Sequence, residues 1–288
     1  MKVASQHAIT DDDFKKFREY FYRKTGMYFD DGKRYFVDKR LQERIAQTDS
    51  ASFRDYFVML RFQATGGELQ QLINTMTVNE TYFFREEYHF ACLVKSMLPE
   101  IVANKKDKDP IRIWSMPCSS GEEPFSIAIY LQEYWPQISQ YDVDLMASDI
   151  DTDILKHASL GRFSRRSVQN LPAHLKSQYF REQVDGDYQL IDDLRQSVEF
   201  TRANLTELAD TRRFRKVDVI FCRNLLIYFD DESRRQAAEA FYDALNPGGF
   251  ICLGHSESMS RISGLFNVRK FPDAIVYQKP FASEKNKS

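Results

Sequence analysis

Cysteine is sparse and scattered. Cys92, Cys118, Cys222 and Cys252 form no C-x-x-C pair, so the chain offers neither a disulfide frame nor a zinc site, and no metal is expected. Reduced, structural thiols in a cytoplasmic protein are predicted instead. Long apolar runs are missing too: no stretch of 18 apolar residues occurs, and "MKVASQHAITDDDF" has no apolar core of signal-peptide length. Neither membrane insertion nor secretion is therefore expected. An excess of one charge is lacking as well. With 40 Lys and Arg against 42 Asp and Glu, the formal net charge is −2, which gives no global pull toward nucleic acid or anionic membrane. Any electrostatic recognition must be local. Internal repeats are absent, and nothing demands more than a monomer.

What is present suffices for a sizeable core: 43% of the 288 residues are apolar and 28% charged, enough for one large domain or a large and a small one. Residues 10 to about 75 read as helical. "TDDDFKKFREYFYRKTG" offers Thr10 as an N-cap, acids in the first turn, and Phe14, Phe17 and Phe21 at helical spacing before Gly26. "DDGKRYFVDKRLQERIAQ" predicts a second helix with Tyr35, Val37, Leu41 and Ile45 as its apolar contacts. "SFRDYFVMLRF" and "GGELQQLINTMTVN" predict a third and fourth. The polar-aromatic connector "TVNETYFFREEYHF" follows, its Tyr82, Phe83 and Phe84 read as core or lid packing. From Ile111 short apolar runs alternate with amphipathic segments, the pattern of βαβ units and a mostly parallel sheet. A strand-like stretch with a turn at Asp185-Gly186 interrupts them and predicts a small antiparallel excursion.

The segment "IRIWSMPCSSGEEPFSIAIYL" carries the first functional signal. A strand, a small-residue turn and a helix make a ligand crevice at the carboxyl edge of a sheet. The G-x-G-x-x-G pattern is absent, only Gly121 remains, and Glu122 and Glu123 would repel a phosphate. Either the two acids merely suit a first helical turn, or the turn selects a ligand without phosphate. Asp149, at the end of the next strand in "LMASDID", occupies the usual place of a ribose-hydroxyl acceptor. Together they point to S-adenosylmethionine, which carries an ammonium and a sulfonium but no phosphate. Arg223 and Asn224 end another apolar strand over the same edge. The Asn/Asp-Pro-Pro-aromatic motif of amino-methyltransferases is missing there, which argues against DNA bases or amide nitrogens as acceptors.

"NETYFFRE" (79–86), "SSGEEPFSIAI" (119–129), "ASDID" (147–151), "ANL" (203–205), "FCRNLLIYF" (221–229) and "GHSE" (254–257) together resemble the chemotaxis receptor glutamate O-methyltransferases, the CheR type. The resemblance runs in order from about Phe14 to Gln278. It implies an α/β, Rossmann-like S-adenosylmethionine-dependent methyltransferase domain with a small antiparallel β-subdomain, preceded by a small all-α domain. The expected division is a helical receptor-recognition domain at 1–75, a connector at 76–90, a methyltransferase domain at 91–280 with the β-subdomain inserted at about 180–202, and a frayed tail at 281–288. The implied reaction transfers a methyl group from S-adenosylmethionine to glutamates on the cytoplasmic helices of methyl-accepting chemoreceptors, leaving S-adenosylhomocysteine.

By motif match the resemblance implies cofactor contacts at Asn79, Thr81, Arg85, Glu123, Asp149, Asn204, Leu205, Arg223 and Asn224. Asp149 would hold the ribose, Glu123 the methionine end, and Arg85 and Tyr228 would border the transferred methyl. Glu122 stays open as a helix-start acid. A glutamate nucleophile, with a pKa near ~4.3, needs no general base, and His255 in "GHSE" is read as a structural hydrogen-bonding residue rather than a base. Lys33, Arg34, Arg40 and Arg44 on the second helix are either a solvated face or, given the resemblance, a receptor-docking surface. "REQVDGDYQL" is shorter than, and lacks the glycine pattern of, the loop in relatives that grip a receptor's C-terminal pentapeptide, so no such tether is expected. The rival readings are methylation of another protein or a small acid, and a non-catalytic cofactor-binding scaffold.

Overall fold

The computed structural model of the protein describes residues 9–105 and 109–281. Residues 282–288, nearly all of the expected frayed tail, lie outside the described residues. Helix α1, Asp11–Thr25, begins where Thr10 Oγ1 accepts the Asp13 N–H at 3.1 Å and Asp13 Oδ2 accepts the Thr10 N–H in return. This reciprocal cap satisfies donors that the first helical turn cannot. Phe14, Phe17 and Phe21 are all buried, as their spacing requires. Gly26 ends the helix at φ 73°, and a Cβ there would lie 2.4 Å from Thr206 Cγ2. Both the left-handed turn and the close approach call for glycine.

Helix α2, Arg34–Gln47, buries Val37, Leu41 and Ile45, whereas Tyr35, expected beside them, is 82% exposed. Two residues of helix turn the chain by roughly 200°, which puts Tyr35 on the face opposite Val37. Helices α3, Phe53–Phe62, and α4, Gly67–Met76, complete the helical region. After the connector, α5, Tyr88–Cys92, continues through a π-helical turn at Leu93–Met97 into α6, Leu98–Asn104.

The α/β region runs β1 (Ile111–Ser115), α7 (Glu122–Tyr134), β2 (Val143–Asp149), α8 (Thr152–Leu160), β3 (Arg162–Phe163), α9 (Ala173–Tyr179), β4 (Phe180–Glu182), β5 (Tyr188–Leu190) and α10 (Asp192–Gln196). It continues with β6 (Val198–Arg202), α11 (Leu208–Thr211), β7 (Val217–Cys222), α12 (Asp231–Ala244), β8 (Leu245–Leu253), β9 (Asn267–Lys270) and β10 (Ile275–Gln278). The large sheet has the order β6-β2-β1-β7-β8-β10-β9, parallel from β6 to β8, with β10 antiparallel to both neighbours. Strand order reverses between β1 and β7, and ligand crevices form at such a reversal.

One boundary differs from the sequence expectation. The β-subdomain was expected at about 180–202; the Asp185-Gly186 turn does join antiparallel β4 and β5, but the third strand is the earlier β3. Residues 198–202 form β6, an edge strand of the large sheet parallel to β2. A short apolar alternation suits either sheet equally well, so periodicity cannot assign the partner. Helix α12 stops at Ala244, and β8 takes in Asn246–Gly249 through a register shift opposite Val217 and Val219.

The large sheet has a core on each face. One packs α5, α6, α7 and the β-subdomain residues Phe163 and Phe180 around Ile113, Val219 and Phe250. The other joins α12 and all four N-terminal helices to Trp114, Ile220 and Ile251. The helical region therefore shares its core with the sheet. Fully buried Trp114 stacks on Phe214 at 4.1 Å and donates its indole N–H to Ser148 Oγ at 2.6 Å, which satisfies the one polar atom it brings inside.

Candidate active site

A crevice opens at the carboxyl ends of β1, β2 and β7, roofed by the helical region and the connector. All ten residues carried over for cofactor and methyl transfer line it: Asn79, Thr81, Arg85, Glu123, Asp149, Asn204, Leu205, Arg223, Asn224 and Tyr228. Its floor is buried and mixes apolar groups such as Met116, Cys118 and Phe90 with Asp149 and Arg223. Its rim is exposed and includes Tyr28, Lys33, Val78 and Ile227.

The paired glutamates at the start of α7 diverge. Glu123 faces the crevice, accepting Ser115 Oγ–H at 2.7 Å and Arg223 Nη1–H at 2.9 Å. Burial raises its carboxyl above the ordinary range, with Arg223 opposing. Glu122 points away from it, 4% exposed, and accepts hydroxyls of Ser120 and Ser167, each at 2.6 Å. It is more than a helix-start acid, because Ser167 lies on the loop that also receives the Phe83 N–H. Glu122 thereby fastens α7 to the β-subdomain and the connector. The intervening turn is irregular: Ser119 has φ 48°, Gly121 φ 97°, and the Met116–Pro117 peptide is cis.

Asp149 accepts the Ser119 N–H at 2.9 Å and the Asp151 N–H at 3.0 Å. Burial pushes its carboxyl up to about 6 against these bonds. Asp151, passed over in the sequence, is a second organiser. It caps α8 through the N–H groups of Asp153 and Ile154, each at 3.0 Å, and accepts Thr77 Oγ1–H at 2.6 Å and Asn79 Nδ2–H at 2.9 Å. Its position two residues after a strand-end acid, at the head of an apolar helix, is an N-cap signal that was there to be read. The amide of Asn79 is thus committed to the protein. So is that of Asn204, which donates to the Lys24 carbonyl at 2.7 Å and accepts the Thr206 N–H at 3.2 Å.

Arg223, 5% exposed, is held from several sides. Besides Glu123, it donates from Nε to Glu86 at 3.4 Å and from Nη2 to the Arg85 carbonyl, and lies over the Phe90 ring. Burial would raise the Glu86 carboxyl, but Arg223 and His255 outweigh it and hold it below its usual value. His89, beside Glu86, is pushed down to about 3 by burial and by Arg223, so it is a neutral imidazole. Phe84 and Glu86, either side of Arg85, both have positive φ, 60° and 52°. Such backbone persists only where surrounding contacts over-determine it.

The α2 basic residues do not form one outward surface. Arg44 makes a two-pronged pair with Glu68 at 2.9 and 2.6 Å, the side chains 13% and 7% exposed. Arg40 donates to the Thr75 carbonyl at 2.7 Å and lies 3.5 Å over the Phe36 ring. Arg34 binds Asp38 at 2.6 Å and Asp11 at 2.9 Å. Helical spacing locates a face but not the partner opposite it, and here the partners are internal. Lys33 alone of the four lines the crevice rim, where it is exposed.

The donor set fits S-adenosylmethionine. Among the described residues no glycine-rich phosphate loop meets the crevice, carboxylates stand at the start of α7 and at the end of β2, and the buried Ser119 Oγ at its wall has no partner within the protein. Fold and crevice define an S-adenosylmethionine-dependent methyltransferase. Residues 12–77 match the family described as "CheR methyltransferase, all-alpha domain", and residues 79–275 match "CheR methyltransferase, SAM binding domain". The chain therefore belongs to the CheR methyltransferase family, and S-adenosylmethionine is its cofactor. It is 58% identical over 272 residues to chemotaxis protein methyltransferase 2 of Vibrio cholerae, covering 94% of each chain. It is 37% identical to chemotaxis protein methyltransferase 2 of Pseudomonas aeruginosa, over 89% of this chain and 90% of that one. With the chemotaxis protein methyltransferase of Borreliella burgdorferi it shares 32% identity, over 87% and 89%. No helix among the described residues is long and apolar enough to cross a membrane.

Proposed function

We propose that this cytoplasmic enzyme serves chemotaxis by methylating glutamate side chains on the cytoplasmic helices of chemoreceptors. The observation that carries the reading is the pair of cations toward the mouth: Arg85 and Lys33 stand among the more accessible lining residues, beside the exposed acids Asp30 and Glu80, while Glu123 and Asp149 lie deeper. An anionic acceptor is drawn to the outer cations, and the inner acids suit the cofactor's ammonium and ribose hydroxyls. When bound, the cofactor supplies an electrophilic methyl on its sulfonium. The protein's part is orientation and exclusion of water. In this reading Asp149 holds the ribose, Glu123 faces the methionine end, Asn79, Thr81, Asn204, Leu205, Arg223 and Asn224 shape the rest, and Arg85 and Tyr228 border the transferred methyl. A glutamate, already a carboxylate at neutral pH, attacks without a base. Neutral His89 and exposed His255, the latter bonded to Glu86, fit that economy.

The deciding experiment supplies radiolabelled S-adenosylmethionine and a chemoreceptor cytoplasmic fragment, and scores base-labile methanol. Ester formation on the fragment is expected. Cofactor binding without ester on any receptor would favour the scaffold reading, and ester on another protein or a small acid would move the substrate elsewhere. Tight tethering to a receptor pentapeptide is not expected. The β4–β5 connection, Gln183–Asp187, is closed on itself by the Gln183 N–H to Asp187 carbonyl bond at 2.7 Å. Micromolar pentapeptide binding in calorimetry overturns that expectation.

A further inference from the structure

The segment Gly254–Glu257, immediately after β8, bears on the site described so far through the His255 contact with Glu86, and none of its residues lines the crevice. Yet it touches the crevice walls from behind on two sides. The Glu257 carboxylate accepts the N–H of Asn224 and of Gly254, both at 2.8 Å, and the N–H of Leu226 at 2.7 Å. These bonds fix the turn after β7, in which Asn224 has a φ of 60°, a left-handed backbone that needs support from its surroundings. A Cβ at position 254 would fall 2.9 Å from both Asn224 Nδ2 and Glu257 Oε2. Glycine is required there because the two backbones approach this closely. Asn224, Ile227 and Tyr228, all on the supported turn, line the crevice.

On the other side, His255 Nδ1–H donates to Glu86 Oε1 at 3.1 Å, and Glu86 Oε2 accepts from Arg223 Nε at 3.4 Å. Arg223 in turn donates to Glu123 at 2.9 Å. One short segment thus reaches both the backbone that carries Asn224 and Tyr228 and the carboxylate that grips Arg223. We propose that Glu257 and His255 are positioning residues forming a brace behind the cofactor site, Glu257 setting the Asn224–Tyr228 turn and His255, through Glu86, setting Arg223.

The test measures S-adenosylmethionine affinity by calorimetry and the unfolding midpoint on the same full-length samples. Glu257→Ala is expected to raise the cofactor Kd by ~10-fold or more, and Glu257→Gln, which keeps a carbonyl acceptor, by less. His255→Ala, whose side chain is 71% exposed, is expected to raise Kd ~3-fold with an unchanged midpoint. In a Glu86→Ala background His255→Ala should add nothing, because the side chain that links it to Arg223 is gone. Should Glu257→Ala fail to fold, Glu257→Gln and the His255–Glu86 cycle carry the test. Kd values for Glu257→Gln and His255→Ala within about twofold of the parent overturn the brace. So does a double variant whose effect equals the product of the single ones.

Discussion

Helix α2 and the crevice are both rich in paired charge. On α2, Arg34, Arg40 and Arg44 each meet a partner within the helical region: Asp11 and Asp38, the Thr75 carbonyl, and Glu68. Those pairs close the surface. In the crevice, Glu123 pairs with Arg223 and Asp149 is tied to two backbone N–H groups, yet all three still line open space. Burial and pairing alone therefore do not distinguish a structural charge from a functional one. What separates them is whether a face of the charged group is left for a ligand once its internal bonds are made.

The contrast is broken most severely at Arg44. Removing one member of a buried ion pair strands the other, at a cost of ~3–5 kcal/mol. Glu68 also accepts the Tyr56 hydroxyl at 2.8 Å, so Arg44→Ala leaves that buried cluster with an uncompensated carboxylate. Denaturant unfolding should reveal the loss, while cofactor affinity of the folded fraction stays at the parent value. A receptor-methylation defect with full stability would return Arg44 to the docking surface.

Glu122 and Glu123 sharpen the comparison within a single turn of helix. Glu123→Ala removes the crevice-facing acid and leaves Arg223 underpaired, and its cofactor Kd should rise ~10–100-fold, the range for losing one or two charge-assisted hydrogen bonds. Glu122→Ala severs the Ser120 and Ser167 links instead, which should lower stability by about 1–3 kcal/mol and change Kd by less than about threefold. Equal losses of affinity in titration calorimetry would erase the division between the two acids.

Asp149 extends the test to pH. Its carboxyl titrates at about 6 because burial penalises the charge, with Asp151 adding repulsion. As this folded value lies above the ordinary 3.8, the group costs stability in full above pH 6, and that cost fades as pH falls from 6 to the ordinary value. If Asp149 holds the ribose as proposed, cofactor affinity runs the other way, since the hydroxyls need the carboxylate as acceptor. Between pH 7 and 5.5 the Kd should rise about fourfold, and Asp149→Asn should flatten the profile. A flat profile in the parent protein would remove Asp149 from the ribose.

Much of this was legible in the sequence, for identifiable reasons. Helix α1 announces itself through Thr10, Asp13 and the Phe14–Phe17–Phe21 stripe because caps and faces are local. Asp149, Arg223 and Asn224 were recoverable because they stand at or just after the ends of β2 and β7, where the sheet's strand ends converge, whereas Asn79, Thr81 and Arg85 of the connector came from motif match alone. What stayed hidden depends on partners distant in the chain. Nothing near Arg44 indicates that Glu68 stands across from it, nothing near Glu86 points to His255, and β6 could not reveal which sheet it joins. Tyr35 is different: its offset of two from Val37 already placed it on the wrong face, so that reading ran against the helical period rather than beyond it.

The smallest effect is expected at Lys33, the one member of the α2 group that lines the crevice rim. It follows the Asp30 cap, which holds the Lys33 N–H at 3.2 Å, so Lys33→Glu leaves the backbone of the helix start intact. An exposed charge acts through high-dielectric water, where a pair contributes about 1 kcal/mol or less. Reversal should therefore raise the KM for a glutamate-bearing receptor fragment only ~3–5-fold, with kcat and cofactor Kd unchanged. Because surface fields are screened over about 8 Å at physiological salt, the difference should shrink as ionic strength rises. A salt-dependent KM change at Lys33, set against a stability loss at Arg44, would separate steering from packing within the same basic group. If KM does not move at low salt, the crevice's attraction for anions rests on Arg85, the other accessible cation of its lining.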